Sequence, residues 1–238
     1  MPEITSPALI KEVQKELAAL NLYDGAIDGI AGKKTAAAVT KWQYLHNFTP
    51  TGIITEAIRR NVTVPQMFAR QGDAPPPKVP KYPHDDTKSL TAFYGKPGDE
   101  SKHQFISLPY PMKLAWEPSK EITRIRIHQK CAEDFSNFFN DIFQYYSLDK
   151  VKEYGLDMFG GSYNNRAIRG GTRPSTHAFA CAVDINPAEN QLTWGKGRAL
   201  FSRPEFTPLM QMATANNLVN LGMKRDFDFM HFEAAWVS

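Results

Sequence analysis

The chain has 238 residues, 42% of them hydrophobic and 22% charged, which excludes a disordered or collagen-like polymer. Lys and Arg outnumber Asp and Glu by 28 to 25; a net charge of +3 is too small to point to nucleic acid and does not hinder approach to an anionic polymer. At about 150 residues per domain the length allows one or two domains. No apolar run approaches the roughly 18–20 residues of a membrane helix, so no membrane insertion is expected. The two cysteines, Cys131 and Cys181, make no disulfide framework and are expected as reduced thiols.

From the N-terminus, Ile10, Val13, Leu17 and Leu20 recur at helical spacing behind Ser6-Pro7, a cap followed by a first-turn proline. A turn-rich stretch follows from Leu22 to Gly29, where Gly25 and Gly29 suit positive φ and Asp28 suits hydrogen bonds to local amides. The next helix is expected over Lys33–Tyr44, with Thr35, Val39 and Trp42 on one side. After a break at Gly52, a third short helix is expected near Thr55–Arg60. Residues 1–64 thus read as a small all-α three-helix domain. Residues 65–83 include six prolines, three of them consecutive at 75–77, and read as a semi-rigid linker.

The N-terminal series resembles the peptidoglycan-binding domain of cell-wall hydrolases. It runs Val13-Gln14-Lys15-Glu16-Leu17, Leu22-Tyr23-Asp24-Gly25-Ala26-Ile27-Asp28-Gly29, Gly32, Thr35, Ala38-Val39, Trp42-Gln43 and Thr51-Gly52-Ile53-Ile54. The likeness covers nearly all of residues 7–62 and implies bacterial peptidoglycan as the partner. Most of its residues describe a fold rather than ligand contacts.

Residues 84–238 mix two periodicities. Ile122, Ile125 and Ile127 mark a strand, and Phe135, Phe138, Phe139, Ile142 and Tyr146 a helix over 130–146. Residues 204–218 read as a further helix beginning at Pro204. Ala182, Val183 and Ile185, and then Phe227 and Phe229, read as short core strands, so the class is α+β rather than a repeating βαβ series. Of six histidines, His46, His84, His103 and His128 have no partner pattern. His177 and Asp184 are separated by six residues, and His231 stands near the C-terminus. Two histidines and one carboxylate fit a catalytic zinc site, which keeps a fourth position for water, but by spacing alone a satisfied polar group is the commoner outcome.

The wording around these residues looks like the VanY-like zinc peptidases. Ser175-x-His177 runs through Ala182-x-Asp184-Ile185-Asn186, and Asp228-x-x-His231-Phe232-Glu233 follows near the C-terminus. The likeness is strongest over about 158–190 and 221–236 and weak over 84–155. That family contains D-Ala-D-Ala carboxypeptidases, dipeptidases and L-alanyl-D-glutamate endopeptidases. The resemblance implies one zinc held by His177, Asp184 and His231, with Asp228 as the catalytic base and Arg166 meeting the substrate. The family usually has glycine where this chain has Ala180, which implies a slight backbone adjustment. In a regular strand positions 228 and 231 face oppositely while Glu233 shares a face with His231, so Asp228 reaches the site only if the chain bends between them. Glu233 is the alternative base and is otherwise expected to support the site from behind, and Cys181 is expected to be a packed thiol. Ser175 is expected either to meet substrate or to cap local backbone, and Arg169 and Arg173 either to offer a further cationic contact or to be solvated loop charges.

A wall-binding domain and a zinc peptidase domain in one chain resemble a bacteriophage endolysin. The start, MPEITSPALIKEV, lacks a basic region followed by an apolar one. The expectation is a monomer made in the host cytoplasm without a signal peptide, acting on the wall after release and cutting the L-alanyl-D-glutamate bond. A D-Ala-D-Ala carboxypeptidase is the alternative chemistry. A catalytically inactive wall-binding protein and a metal-free muramidase, which needs a carboxylate pair, are competing classes.

Overall fold

The structure is a computed structural model that describes residues 3–45, 50–56, 58–62 and 80–237. His46 and most of the expected linker, as far as residue 79, lie outside the described residues. The chain divides into two compact units, Met1–Pro77 with Asp141–Ser147, and Lys78–Asn140 with Leu148–Ser238.

In the first unit, helix α1 (Pro7–Ala19) starts with proline at its first turn, where a missing N–H costs nothing. Ser6 occupies the cap position in extended conformation, but its side chain makes no capping bond. Helix α2 (Lys33–Leu45) follows, and residues 56 and 58–62 are also helical. Ile10, Val13 and Leu17 of α1 bury against Val39 and Trp42 of α2 and against Ile54, Ile58 and Val62. Leu20, just past the end of α1, is only partly buried.

The turn between α1 and α2 is organised by a polar side chain. Gln14, wholly buried on α1, points its Nε2 at Asp28 Oδ1 (2.9 Å), Ile30 O (3.1 Å), Thr35 Oγ1 (3.1 Å) and Tyr23 Oη (3.2 Å). Its Oε1 accepts the Gly29 N–H at 2.9 Å. Asp28 also accepts from Ile30 N at 2.9 Å, and the Gln14 hydrogen bond holds its carboxyl below the ordinary value. Gly29 has φ +81°, and a Cβ there would lie 2.6 Å from the Pro7 carbonyl oxygen. Gly25, expected at positive φ, is not among the left-handed residues; its lack of a side chain instead admits Tyr23, whose hydroxyl oxygen lies 2.5 Å from where a Cβ would stand.

The second unit is α+β. Its strands are β1 (His103–Leu114), β2 (Glu117–His128), β3 (Met158–Gly161), β4 (Ala182–Ile185), β5 (Val219–Asn220) and β6 (His231–Glu233). They form one mixed sheet in the order β2-β1-β3-β4-β6-β5, parallel only between β1 and β3. Helix α3 (Thr87–Tyr94) is capped by Asp86, whose side chain accepts from Ser89 N. Helix α4 (Ala132–Glu153) has Glu133 and Asp134 in its first turn and Lys150 and Lys152 in its last, each sign opposing the helix dipole. It is interrupted at Ser147, where φ is +60°. Its Phe138 packs on Phe232 of β6 with ring centroids 5.1 Å apart, and Phe139 on Tyr110 of β1 at 6.4 Å. Because strand side chains alternate, Phe232 facing α4 sends His231 and Glu233 to the other face of the sheet.

The expected helix over 204–218 is a 3₁₀ turn, Pro204–Phe206, followed by α5 (Thr207–Ala215). A short helix α6 (Leu221–Arg225) comes next. Phe227 and Phe229 were expected in a strand and are not. Asp226 and Asp228 take left-handed φ of +56° and +62°, residues 229–230 turn, and the strand begins only at His231. Left-handed residues break a pleated strand, so Phe229 reaches the core from a turn. The second unit already includes Tyr82, whose hydroxyl donates to Asp134, and Pro83, whose carbonyl accepts from Trp236 N at 2.9 Å.

Replacing Gln14 by Ala strands the Gly29 N–H and the acceptors around it. Each buried group left unpaired costs about 1–3 kcal/mol. Gln14→Ala is therefore expected to lower the stability of the first unit by about 2–3 kcal/mol, and Gln14→Glu, which sets a second carboxylate against Asp28, by at least as much. Hydrogen exchange of the α1 and α2 amides in the full chain measures both.

Candidate metal centre

His177, Asp184 and His231, all buried, bring ligand atoms within 4.8 Å of one another and form a group able to hold a metal ion. Asp184 and His231 meet through sheet register. In the antiparallel pair β4–β6, Ala182 faces Glu233, Val183 faces Phe232 and Asp184 faces His231. Directly opposed residues share a face, so this register alone puts the carboxylate beside the imidazole. On the other side of β4, Gly161 of β3 pairs with Asp184. Gly160 makes that approach possible, since a Cβ there would lie 2.9 Å from the Asp184 Cβ.

His177 comes from a 3₁₀ turn, Thr176–Phe179, that leads into β4. Ser175 caps this turn by accepting the His177 N–H at 3.3 Å. Ala180 closes it in the left-handed conformation, φ +52° and ψ +32°. This is why glycine suits the position, and the strain of holding alanine there is about 1–2 kcal/mol.

The protonation of both rings follows from their partners. His177 Nδ1 lies 2.5 Å from the Ser162 carbonyl, an acceptor only, so Nδ1 carries the proton and Nε2 presents a lone pair. His231 Nε2 lies 3.0 Å from Glu233 Oε2 and 3.2 Å from Thr176 Oγ1; it donates to the carboxylate, and Nδ1 presents a lone pair. The two lone pairs face each other at 3.2 Å, with Asp184 oxygens 2.9 Å from His231 Nδ1 and 3.2 Å from His177 Nε2. With both rings neutral, three acceptors converge with no donor among them, an arrangement that calls for a cation. Tetrahedral zinc with nitrogen ligands at about 2.0–2.1 Å spaces its ligand atoms about 3.3 Å apart, close to these separations. A backbone carbonyl behind one ligating imidazole and a carboxylate behind the other are the supports that metal-bound histidines use.

The charges agree. Burial disfavours the Asp184 carboxylate, yet the two histidines outweigh it and hold its pKa below the usual range. Burial likewise disfavours a charged His231, but hydrogen bonds to Asp184 and Glu233 and their charges push its pKa well above 6.5. Without an ion, His231 Nδ1 therefore carries a proton toward Asp184, in the place that a bound cation would take from it.

These residues form the floor of a cavity of about 390 Å³. Asp228 lines it, brought there by the bend described above: the Asp228 carbonyl accepts His231 N at 3.1 Å across a tight turn. Its Oδ1 is buried with no hydrogen-bond partner. Burial, with the neighbouring charges of Asp184 and Glu233, pushes its pKa up to about 6 against the opposing pull of His231 and His177. Glu233 is buried behind His231, and its Oε1 has no partner.

Arg166 and Ser175 line the same cavity, Arg166 with Nη1 on the Ala167 carbonyl at 3.1 Å. Arg169 and Arg173 line it too and are not simply solvated loop charges. Arg173 makes a two-pronged ion pair with buried Asp85, both distances 2.8 Å. Nothing in the sequence links positions 85 and 173, and the Ser162 support is a backbone carbonyl without a residue signature. Cys181 is buried, donates to Thr176 O and has its thiol pKa raised by burial; it stays outside the ligand group. His128 is buried and neutral, its pKa lowered to about 4 by burial, and its Nε2 donates to the Tyr94 carbonyl at 3.0 Å. His84 packs edge-on against Trp236, and His103 against Tyr163.

No curated protein and no solved structure matches the chain. Residues 6–60 match the family model described as "Putative peptidoglycan binding domain", which supports an N-terminal peptidoglycan-binding domain, peptidoglycan as a partner and a cell-wall-associated protein.

Proposed function

We propose that the protein is a zinc-dependent peptidoglycan hydrolase of the endolysin type, which cuts the stem peptide at the L-alanyl-D-glutamate bond. The observation that carries this reading is the convergence of His177, Asp184 and His231, whose ligand atoms lie within 4.8 Å of one another, in a cavity that also holds the unpartnered Oδ1 of Asp228. The wall-binding match in the same chain supplies the polymer: an anchored catalyst meets substrate at a high effective concentration.

Zinc held by the three ligands supplies a Lewis acid for the scissile carbonyl and makes water acidic near neutral pH. The remaining work belongs to the chain. Asp228 Oδ1, free of hydrogen bonds, takes the proton of the attacking water and passes it to the departing amine. A pKa near 6 suits both halves of that task. Glu233 keeps the His231 Nε2 proton in place and so holds the ring's other nitrogen toward the centre. Arg166 supplies a cation at the cavity wall for a developing oxyanion or a substrate carboxylate, and Ser175 lines the same cavity and offers a further polar contact.

The full chain is expected to bind one zinc ion, and His177→Ala to lose stoichiometric metal by elemental analysis. Chelation should abolish lysis of purified wall material, and full lysis by a metal-free preparation overturns the metal assignment.

Asp228→Asn keeps the shape but removes the base, at a cost of about 10²–10⁴-fold in turnover with zinc content unchanged. The wild-type rate should fall with decreasing pH at or below about 6, where Asp228 gains a proton, and this limb should vanish in the variant. A bound dication moves the limb to lower pH, since it favours the carboxylate. Glu233→Gln should be the milder lesion, and a reversed order of the two variants overturns the assignment of the base.

Mass analysis of digested peptidoglycan identifies the bond. A new glutamate amino terminus is expected, whereas released D-alanine marks a carboxypeptidase.

A further inference from the structure

Four arginines line the cavity: Arg166, Arg169, Arg173 and Arg225. The cavity's carboxylates do not neutralise all of them. Asp85 is committed to Arg173, Asp184 to both histidines and Glu233 to His231, while Asp228 makes no ion pair among the described residues. Arg166 rests on the Ala167 carbonyl. Arg169 and Arg225 are exposed and have no carboxylate partner among the described residues.

Two different elements present these cations. Arg169 sits in a small hairpin between Arg166 and Ser175, closed by Ser175 N donating to Arg166 O (3.0 Å), Ile168 N donating to Arg173 O (3.0 Å) and the Ala167–Pro174 bridge. The Arg173–Asp85 ion pair fastens this hairpin to the scaffold, because Asp85 N in turn donates to Trp236 O at 2.9 Å. Arg225 sits in the last turn of α6, next to the bend that carries Asp228. The lining also includes apolar side chains, among them Ile168, Leu192, Leu221 and Phe227. Guanidinium groups at a concave, partly apolar wall attract anions more strongly than they would on an open surface, and their planar fork matches a carboxylate.

Resting on the peptidase reading above, we propose that Arg169 and Arg225 form a carboxylate-reading subsite that makes the enzyme select peptides with a free carboxylate on the residue leaving the scissile bond. The ligand group faces the reacting carbonyl, and the two arginines without a carboxylate partner meet a substrate anion in the same cavity. In an L-alanyl-D-glutamyl bond the leaving residue carries such a carboxylate, and its amidation to a carboxamide removes the charge while nearly keeping the shape. This chain would therefore discriminate between walls with amidated and with unamidated stem peptides.

The test compares L-alanyl-D-isoglutamyl-L-lysine with its carboxamide counterpart, using the zinc-loaded full chain. The readout is the ratio of kcat/KM for the two peptides, in which a general loss from misfolding cancels. The wild type should prefer the carboxylate about 10- to 100-fold, the range expected for a charge-assisted hydrogen-bonded pair. The Arg169→Gln/Arg225→Gln double variant should bring the ratio close to one. Arg198→Gln changes net charge equally but alters a side chain stacked on Trp194 outside the cavity lining, and it should keep the wild-type ratio. An unchanged ratio in the double variant, or a wild type indifferent to amidation, overturns the subsite. If the wild type cleaves neither peptide, the peptidase reading fails and calorimetric binding of the same peptides decides the subsite. Tighter binding of the carboxylate peptide, lost in the double variant, supports it; equal binding or none overturns it.

Discussion

Two imidazole lone pairs and a carboxylate facing one another inside a protein repel unless a positive charge sits among them. The second unit is arranged to enforce that meeting. The β4–β6 register sets Asp184 opposite His231, and a slip of one residue would send His231 to the α4 face and bring Phe232 into the site. Register is held by what lies behind it: Phe232 locked against Phe138, and Val183 and Ile185 fully buried. The apolar core therefore fixes the polar centre, and the core face cannot be repacked by a shift in register without dismantling the cluster.

The same centre depends on backbone that no regular strand provides. Ala180 and Asp228 both occupy the left-handed region, one closing the turn that carries His177 and the other opening the turn that precedes His231. Each such residue costs about 1–2 kcal/mol relative to glycine-like freedom, and such conformations persist only where surrounding structure over-determines them. Here the neighbours do so. His128 N and the Ala180 carbonyl are hydrogen-bonded at 2.8 Å, as are Ala234 N and the Cys181 carbonyl, while Asp228 O is tied to His231 N. In exchange for the strain, three groups separated by a strand, a turn and some fifty residues of chain face one cavity.

Legibility in the sequence followed the range of the interactions. Apolar periodicity identified α1, α2, α4, β2 and β4, because burial acts on single elements and leaves a regular trace. It failed at Phe227 and Phe229, where two aromatic residues at strand spacing belong to a turn set by left-handed aspartates. Turn chemistry misassigned Gly25, whose value is room for the Tyr23 side chain rather than positive φ. The ligand-capable triad was reached through motif wording, since spacing alone left a satisfied polar group as the commoner outcome. The supports were out of reach: Ser162 acts through its carbonyl, and Asp85–Arg173 joins positions with no periodic relation.

The first unit shows the opposite relation between motif and role. Gln14, Tyr23, Asp28, Gly29 and Thr35 dominate the recognisable pattern, and one buried hydrogen-bond network binds them to one another. A residue whose polar atoms are spent inside a turn has little left to offer a ligand. Gln43 repeats the device on α2, accepting Gly52 N at 2.8 Å and donating to Thr51 Oγ1 at 3.1 Å. Each amide pins a glycine-containing turn to the helix beside it. The match over residues 6–60 thus rests largely on how this unit folds, and its outward-facing side chains, among them Ile27, Ile30 and Ile53, lie on the very turns that the two glutamines hold still.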